Sequence, residues 1–400
     1  MVKNNLIVGF VCLLSLSACN KRMGCDEPER FFNAVSAKIS FTLQNLPDTA
    51  GMPRSMPSDE LRWKCTDVFD WTSGFWPGLL WLDARFTGDT SLFAAARHWT
   101  GFLEPVKKMQ NKNHDLGFML FCSYGNGYKL TQNPEYRKVL LEGADSLASL
   151  FNPNVGTILS WPYQKKARGW KHNTIIDNMM NLELLFWAAR NGRPSYFDIA
   201  VKHAETTLKN QVRPDFSTWH VVVYDSATGH VDSLLTHQGY SNNSMWARGQ
   251  AWAIYGFTMA YRESGKTEFL DAAKKLAEKF TVNLPPDGIP YWDFDVPDKK
   301  NEPRDASAAA IAASALMELA SLSDNPSGRE KYYAQSIRLI RSLSGNYLAP
   351  ANSEAILMHS VGSRPHQSEV DYSIIYADYY YAEALLRWKE LLAAHPELCK

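Results

Sequence analysis

Two acidic residues stand at the head of apolar runs. Asp115 lies in "NHDLGF" (113–118) and Asp177 in "NTIIDN" (173–178), and each precedes a stretch that reads as a buried helix. An Asp in that place is ordinarily a cap, its carboxylate accepting from free backbone N–H groups of the first turn. A pair has a second role open to it. Two carboxyls sharing an apolar pocket have their pKa values pushed apart, so that one holds a proton while the other ionises. Such a pair can act as acid and base in bond cleavage. The two roles are separated by whether the chain brings both residues to one aromatic-walled place. Asp305, in "RDAS", reads as a cap, and Asp70 as a structural residue of its turn.

Other side chains could bind. Arg248 sits in "MWARGQAWA", inside an apolar helix, where a guanidinium needs an anionic partner. That partner is either an internal carboxylate or the carboxylate of a substrate, whose geometry the arginine fork matches. His220 follows Trp219 in a strand-like loop, and His237 and Gln238 stand just before a helix, where they offer donors. No H-E-x-x-H, G-x-S-x-G, phosphate-binding loop or dinucleotide fingerprint is present.

The elements that must position these residues form an irregular repeat. An apolar helix ends in a polar turn, and an amphipathic helix with an early aromatic follows. The instances are "FTGDTSLFAAARHW" (87–100), "LTQNPEYRKVLLEGADSL" (130–147), "NGRPSYFDIAVKHAETTL" (191–208), "SGKTEFLDAAKKLAEKF" (264–280) and "DNPSGREKYYAQSIRLI" (324–340). Gly, Asn and Pro stop one helix, and Thr, Ser or Pro starts the next. The early aromatics Phe93, Tyr136, Tyr196, Phe269 and Tyr332 are 43, 60, 73 and 63 residues apart, so the unit repeats while its connecting loop varies. Together with residues 28–46, the helices after the turns make six with Lys/Glu-decorated faces. Those before the turns are expected near 74–87, 116–129, 177–190, 244–262, 306–322 and 373–390, rich in Trp, Tyr, Met, Ala and Gly, as helices packed on both sides should be. The reading is all-α: an (α/α)6 barrel of six inner and six outer helices, with short strands such as "STWHVVVYD" (217–225) in the loops. An open α-solenoid is the alternative.

If all inner helices run one way, the segments before them converge at one end. They are "FDWTSGFWPG", "NHDLGF", "NTIIDN", "THQGYSNNSMWARGQAW", "EPRDASAAA" and "GSRPHQSEVDYS". Aromatic faces and clustered carboxylates, amides and imidazoles are what a sugar needs, so these segments read as a carbohydrate cleft. The acid pair then suits cleavage at a glycosidic link.

Composition agrees. The chain has 400 residues, 45% hydrophobic and 12% aromatic with 13 Trp, enough for a large core and an aromatic cleft. Its 42 basic and 42 acidic residues cancel, and no basic run interleaves with aromatics, so no nucleic-acid partner is expected. The start, "MVKNNLIVGFVCLLSLSACN", reads as a lipoprotein signal: Lys3, an apolar stretch over 6–16, and a lipobox ending at Cys19. The expected organisation is a signal peptide over 1–18, a tether over 19–27 and one catalytic domain over 28–400. The mature protein would be anchored by lipid at Cys19 in a bacterial periplasm or cell envelope, with no other membrane contact. Cys25, Cys65, Cys122 and Cys399 are scattered with no C-x-x-C, so neither a zinc site nor a disulfide framework is indicated and free buried thiols are expected.

"DWTSGFWPGLLW", "NHDLGFML", "IIDNMMNLELLFWA", "HQGYSNNSMWARGQAWAIYGF" and "IYADYY" (375–380), in that order, resemble the unsaturated glucuronyl hydrolases, family 88 of the glycoside hydrolases, over about residues 60–390. The resemblance implies an (α/α)6 barrel, no metal or other cofactor, and removal of the 4,5-unsaturated uronic acid that lyases leave at the non-reducing end of glycosaminoglycan oligosaccharides from chondroitin, hyaluronan or heparin. It puts the general acid/base on Asp177 and its partner on Asp115. Trp71 and Phe75 would stack on the uronate ring, and His114 and Trp161 would line the pocket. His220, His237, Gln238, Arg248 and Trp252 would bind the sugar. His366 matches loosely, in the region 351–372, where Ser363, Arg364 and Ser368 are the residues expected to govern sulfation tolerance. The implied chemistry is hydration of the C4=C5 enol ether, with Asp115 keeping Asp177 protonated by like-charge repulsion. Rival readings are a hydrolase of unsaturated rhamnogalacturonides from pectin and a non-catalytic sugar-binding lipoprotein.

Overall fold

A computed structural model describes residues 25–47, 51–109 and 113–399; the predicted signal peptide and Cys19 lie outside the described residues. Helices begin and end where local chemistry dictates. Asn133 accepts from the Glu135 N–H ahead of Pro134, and Asn325 accepts from the Gly328 N–H ahead of Pro326. Gly88 and Gly265, with left-handed φ of 74° and 71°, stop two inner helices.

Six outer helices are formed by Glu27–Asn45, Leu92–Gly101, Pro134–Ala148, Tyr196–Gln211, Thr267–Val282 and Pro326–Asn346. They alternate with inner helices Phe75–Thr87, Ala247–Ser264, Ala306–Ser321 and Ile375–Ala394 and two inner segments of mixed winding. One is a π-helix, Gly117–Gly125, continued by Asn126–Thr131; the other is a 3-10 turn, Ile176–Asn181, continued by Leu182–Arg190. These are the expected inner helices, with their first turns wound differently just after the two acids. Small side chains make the inner ring possible: the Ala-rich helix Ala306–Ser321 is buried from Ala306 to Ala320 and packs against inner neighbours on both sides. A Cβ on Gly117 would stand 2.5 Å from the Asn181 Cα, so only glycine lets the π-helix lie this close to the Asp177 turn. Among the described residues no helix is long and apolar enough to cross a membrane.

The inner helices all start at one end, the mouth. Trp71 meets Phe118 at 5.5 Å and Tyr376 at 5.1 Å, and Phe118 meets Trp252 at 5.3 Å. Arg248, on the fourth inner helix, reaches Asp305 at the head of the fifth. The ring is therefore closed, as a barrel rather than a solenoid. Antiparallel strands roof this end. Lys64–Thr66, Met52–Pro57, Ser368–Ile374 and Ser360–Ser363 form one sheet, in that order. His172–Ile175, Val221–Tyr224 and Val231–Leu235 form another. The strand expected over 217–225 is its middle member.

The cysteine expectation is corrected. Cys25 and Cys399 form a disulfide across 374 residues, with Cα atoms 5.2 Å apart, a separation a disulfide spans readily. It forms where the last inner helix ends, at the base of the barrel opposite the mouth. Cys65 is exposed and Cys122 half-buried, so neither is the buried thiol expected.

Candidate active site

Neither acid is a cap. Among the described residues no N–H of the turn after Asp115 or Asp177 donates to the acid's own carboxyl, the Phe118 N–H going to Asn181 instead, whereas Asp305 accepts from the N–H groups of Ser307 and Ala308. Asp70 likewise holds its own turn, accepting from the Thr72 N–H and hydroxyl and from Arg54. The carboxyls of Asp115 and Asp177 are left for other work.

Strand pairing sets the surroundings of Asp177. Ile175 pairs with Val221, and the Ile176 N–H donates to the His220 carbonyl at 3.0 Å. This register places the His220 Nε2 atom 3.7 Å from Asp177 Oδ2, beyond hydrogen-bonding distance. The His220 Nδ1 atom accepts from the N–H groups of His237 and Gln238 at 3.1 and 3.2 Å. Its proton therefore belongs on Nε2, facing the acid. Burial, reinforced by His237, Arg248 and His114, holds His220 well below its ordinary value and so neutral. The ring lies on Trp246, centroids 4.4 Å apart.

Asp115 has a matching escort. Asn181 Nδ2 faces His114 Nδ1 at 3.4 Å, which directs the His114 Nε2 proton toward Asp115 Oδ1, 3.3 Å away. Burial pushes His114 down to about 3, so it too is neutral. Each acid thus faces a neutral imidazole rather than a cation.

Burial raises both carboxyls. Asp177 is pushed up to about 7 against the opposing pull of Arg248, its own amide and the Trp252 indole. Asp115 is raised well above the usual carboxylate range by burial, then by the charges of Asp177 and Asp70. Like-charge repulsion between the two acids adds to burial, so the pair keeps a proton that isolated carboxyls would lose. As neighbours, the two titrate as a coupled pair. Their side chains keep 12% and 14% exposure, so they are not sealed in.

Other predicted residues fall around them with three corrections. Phe75 is fully buried and backs Trp71, 5.9 Å away, and so cannot stack on a sugar itself. Trp252 is also fully buried and turns its indole edge to Asp177. Of the two readings for Arg248, the internal ion pair is the one formed. Its fork meets Asp305 at 3.2 Å, the Gly362 carbonyl at 2.6 Å and the Val361 carbonyl, so it reaches the site as a positive field. Trp71 remains half-exposed. Trp161 meets His220 and His237 edge-on at 6.0 and 5.2 Å, and His237 lies 4.4 Å from His366. Gln238 donates to the Gly362 carbonyl at 3.0 Å.

Residues not singled out beforehand complete the place. Tyr376 lies against Trp71 with its hydroxyl buried and unbonded, Trp246 carries His220, and Asn181 accepts from the Phe118 N–H while facing His114. Asn181 was legible as one helical turn beyond Asp177; Tyr376 lay inside a quoted motif. Asp177 Oδ2, His114 Nε2, His220 Nε2, Trp252 Nε1 and the Tyr376 hydroxyl are all buried without a hydrogen-bond partner. Each such orphan costs about 1–3 kcal/mol. Five of them gather around the acid pair, where a polar group can satisfy them.

A ring of helices with paired, proton-bearing acids at an aromatic mouth defines a glycoside hydrolase of the (α/α)6 kind. The Glycosyl Hydrolase Family 88 signature matches residues 50–390, and the chain belongs to that family. It is similar to an unsaturated glucuronyl hydrolase of Formosa agariphila, 45% identical over 329 residues and 81% of each chain. An unsaturated chondroitin disaccharide hydrolase of Streptococcus pyogenes serotype M1 is 35% identical, over 80% of this chain and 82% of its own. A crystal structure of an unsaturated glucuronyl hydrolase specific for heparin superposes with a TM-score of 0.87 at 40% identity, covering 92% of this chain and 99% of that one.

Proposed function

We propose that this hydrolase removes 4,5-unsaturated uronic acid from the non-reducing end of lyase-generated glycosaminoglycan oligosaccharides. The observation that carries the reading is the state of Asp177: buried, held near pH 7, unpartnered at Oδ2 and faced by a neutral imidazole. An acid in that state can give a proton and, once ionised, take one back.

Protonated Asp177 delivers its proton to C4 of the enol ether, forming a C4–H bond while positive charge gathers at C5 and the ring oxygen. The resulting carboxylate takes a proton from water as the water oxygen bonds to C5. The product is a hemiketal, which rearranges and releases the aglycone. Asp115, still protonated, can donate to a ring hydroxyl, and the field of Arg248 limits the cost of the ionised Asp177. His220 and His114 face the two carboxyls as neutral imidazoles, leaving the acids free of a cationic partner at close range. One carboxyl serves in turn as acid and base, so the usual link between carboxyl separation and anomeric outcome does not apply.

The test is loss of the alkene's ultraviolet absorbance on unsaturated chondroitin, hyaluronan and heparin disaccharides, with a rhamnogalacturonide control. Asp177→Asn should lower turnover by about 10²–10⁴ while binding survives. Near-normal turnover in that variant sinks the assignment, faster turnover of the pectin fragment moves the substrate class, and binding without alkene loss leaves a sugar-binding protein. We further infer lipid attachment at Cys19 in the bacterial cell envelope, from the lipobox. Cys19→Ser should then release the protein from the membrane fraction.

A further inference from the structure

Both flanks of the mouth carry basic residues, and the two differ. On one flank, Arg364 pairs with Glu302 at 3.4 Å and the Ser363 hydroxyl is taken by His366 at 2.7 Å. The other flank is the segment "WPYQKKARGWK" (161–171), which contains no acidic residue. Its short helix Gln164–Arg168 exposes Lys165, Lys166 and Arg168. Among the described residues none of the three has a carboxylate at ion-pair distance, whereas Lys171 at the end of the segment is held by Asp225 at 2.7 Å. Tyr163, just before the helix, is 59% exposed, more than any other Phe, Trp or Tyr among the described residues, and sits 6.4 Å from Trp161.

This segment overhangs the chemistry. Trp161 touches His220 and His237, the Tyr163 phenol feels the charge of Asp115, and Arg168 is close enough to His237 to disfavour its protonation. An exposed aromatic next to three cations that lack a carboxylate partner, Arg168 lying over the Trp170 ring at 5.1 Å, suits a ligand that is flat and apolar on one face and anionic at its edge. The uronate in the hollow is too deep to be that ligand; the next sugar is not.

We propose that residues 163–168 form the subsite for the saccharide beyond the scissile bond, with Tyr163 against its ring and Lys165, Lys166 and Arg168 against its oxyanion groups. This rests on the reading of the hollow as the unsaturated uronate site, and deepens it: the preferred substrate bears an anion on the leaving sugar. That anion is a sulfate ester or the carboxylate of a further uronate.

The experiment uses the full chain as Asp177→Asn, so that binding is measured without turnover. Calorimetry compares unsaturated chondroitin disaccharide with and without 6-sulfate, and an unsulfated tetrasaccharide, before and after Lys165→Ala/Lys166→Ala/Arg168→Ala. The preference for the anionic ligands over the unsulfated disaccharide should fall about tenfold, three exposed charge contacts' worth, and should shrink with added salt. Loss with the sulfated disaccharide assigns the cations to sulfate, and loss with the tetrasaccharide alone assigns them to carboxylate. Tyr163→Ala should weaken all three ligands alike. An unchanged preference in the triple variant overturns the proposal. Absence of turnover in the parent overturns the hydrolase reading instead, and the binding ratio still judges the subsite.

Discussion

Both ends of the barrel axis bury acidic groups and treat them in opposite ways. At the mouth, Asp177 and Asp115 have neutral neighbours and orphaned atoms, and their pKa values rise. At the base, beneath Phe118, a cavity of about 490 Å³ is lined by charges that all have partners. Arg262 binds Glu183 at 2.7 Å, Glu263 at 3.0 Å and Glu318, and Arg387 binds Glu318 at 2.9 Å and Glu383 at 3.6 Å. Arg190 holds Glu263, and Arg85 holds Glu390 at 2.6 Å. Burial would raise Glu183, yet Lys129, Arg262 and Arg387 together bring it below its ordinary value. Partner supply, rather than depth, separates a lattice that ties helices together from a site that moves protons.

Asp177→Asn is the sharpest way to break that contrast. Beyond its loss of turnover, it should be no less stable than the parent. At pH 8 it should be more stable by on the order of 1–4 kcal/mol, because it no longer carries a buried charge. Chemical denaturation checks this. Glu318→Ala should behave inversely, losing about 3–5 kcal/mol as Arg262 and Arg387 lose their shared partner, with kcat unchanged. A Glu318 variant that is stable but inactive would erase the distinction. Cys399→Ser, also at the base, should lower stability by about 2–4 kcal/mol and spare activity. The gentlest perturbation is a change of pH. Asp177 is raised in the folded chain, so between about 4 and about 7 the folded state keeps a proton the unfolded state has lost, and stability declines as pH rises through that window. Glu183, depressed in the folded chain, adds stability at neutral pH that is lost on acidification. Denaturation midpoints against pH should lose the first slope in Asp177→Asn and keep the second. The parent's kcat/KM should fall above about pH 7 as the acid form is lost.

Much of this frame was legible because helix punctuation is local. Gly88, Asn133, Gly265 and Asn325 each act within a turn, so the helices fall within a few residues of their expected places. What depended on distant partners was not. The π-winding after Asp115 follows from Gly117 meeting Asn181 across helices, and the strand before Asp177 forms only because Val221–Tyr224 lies beside it. Arg248 announced that it needed an anion but not that Asp305, 57 residues on, supplies it. Phe75 and Trp71 share one motif, yet only packing tells the supporting ring from the exposed one.

The Cys25–Cys399 bridge fixes which way the enzyme looks. Residues 25 and 399 meet at the floor of the barrel, so a surface or fusion partner joined close to either one leaves the cleft turned outward.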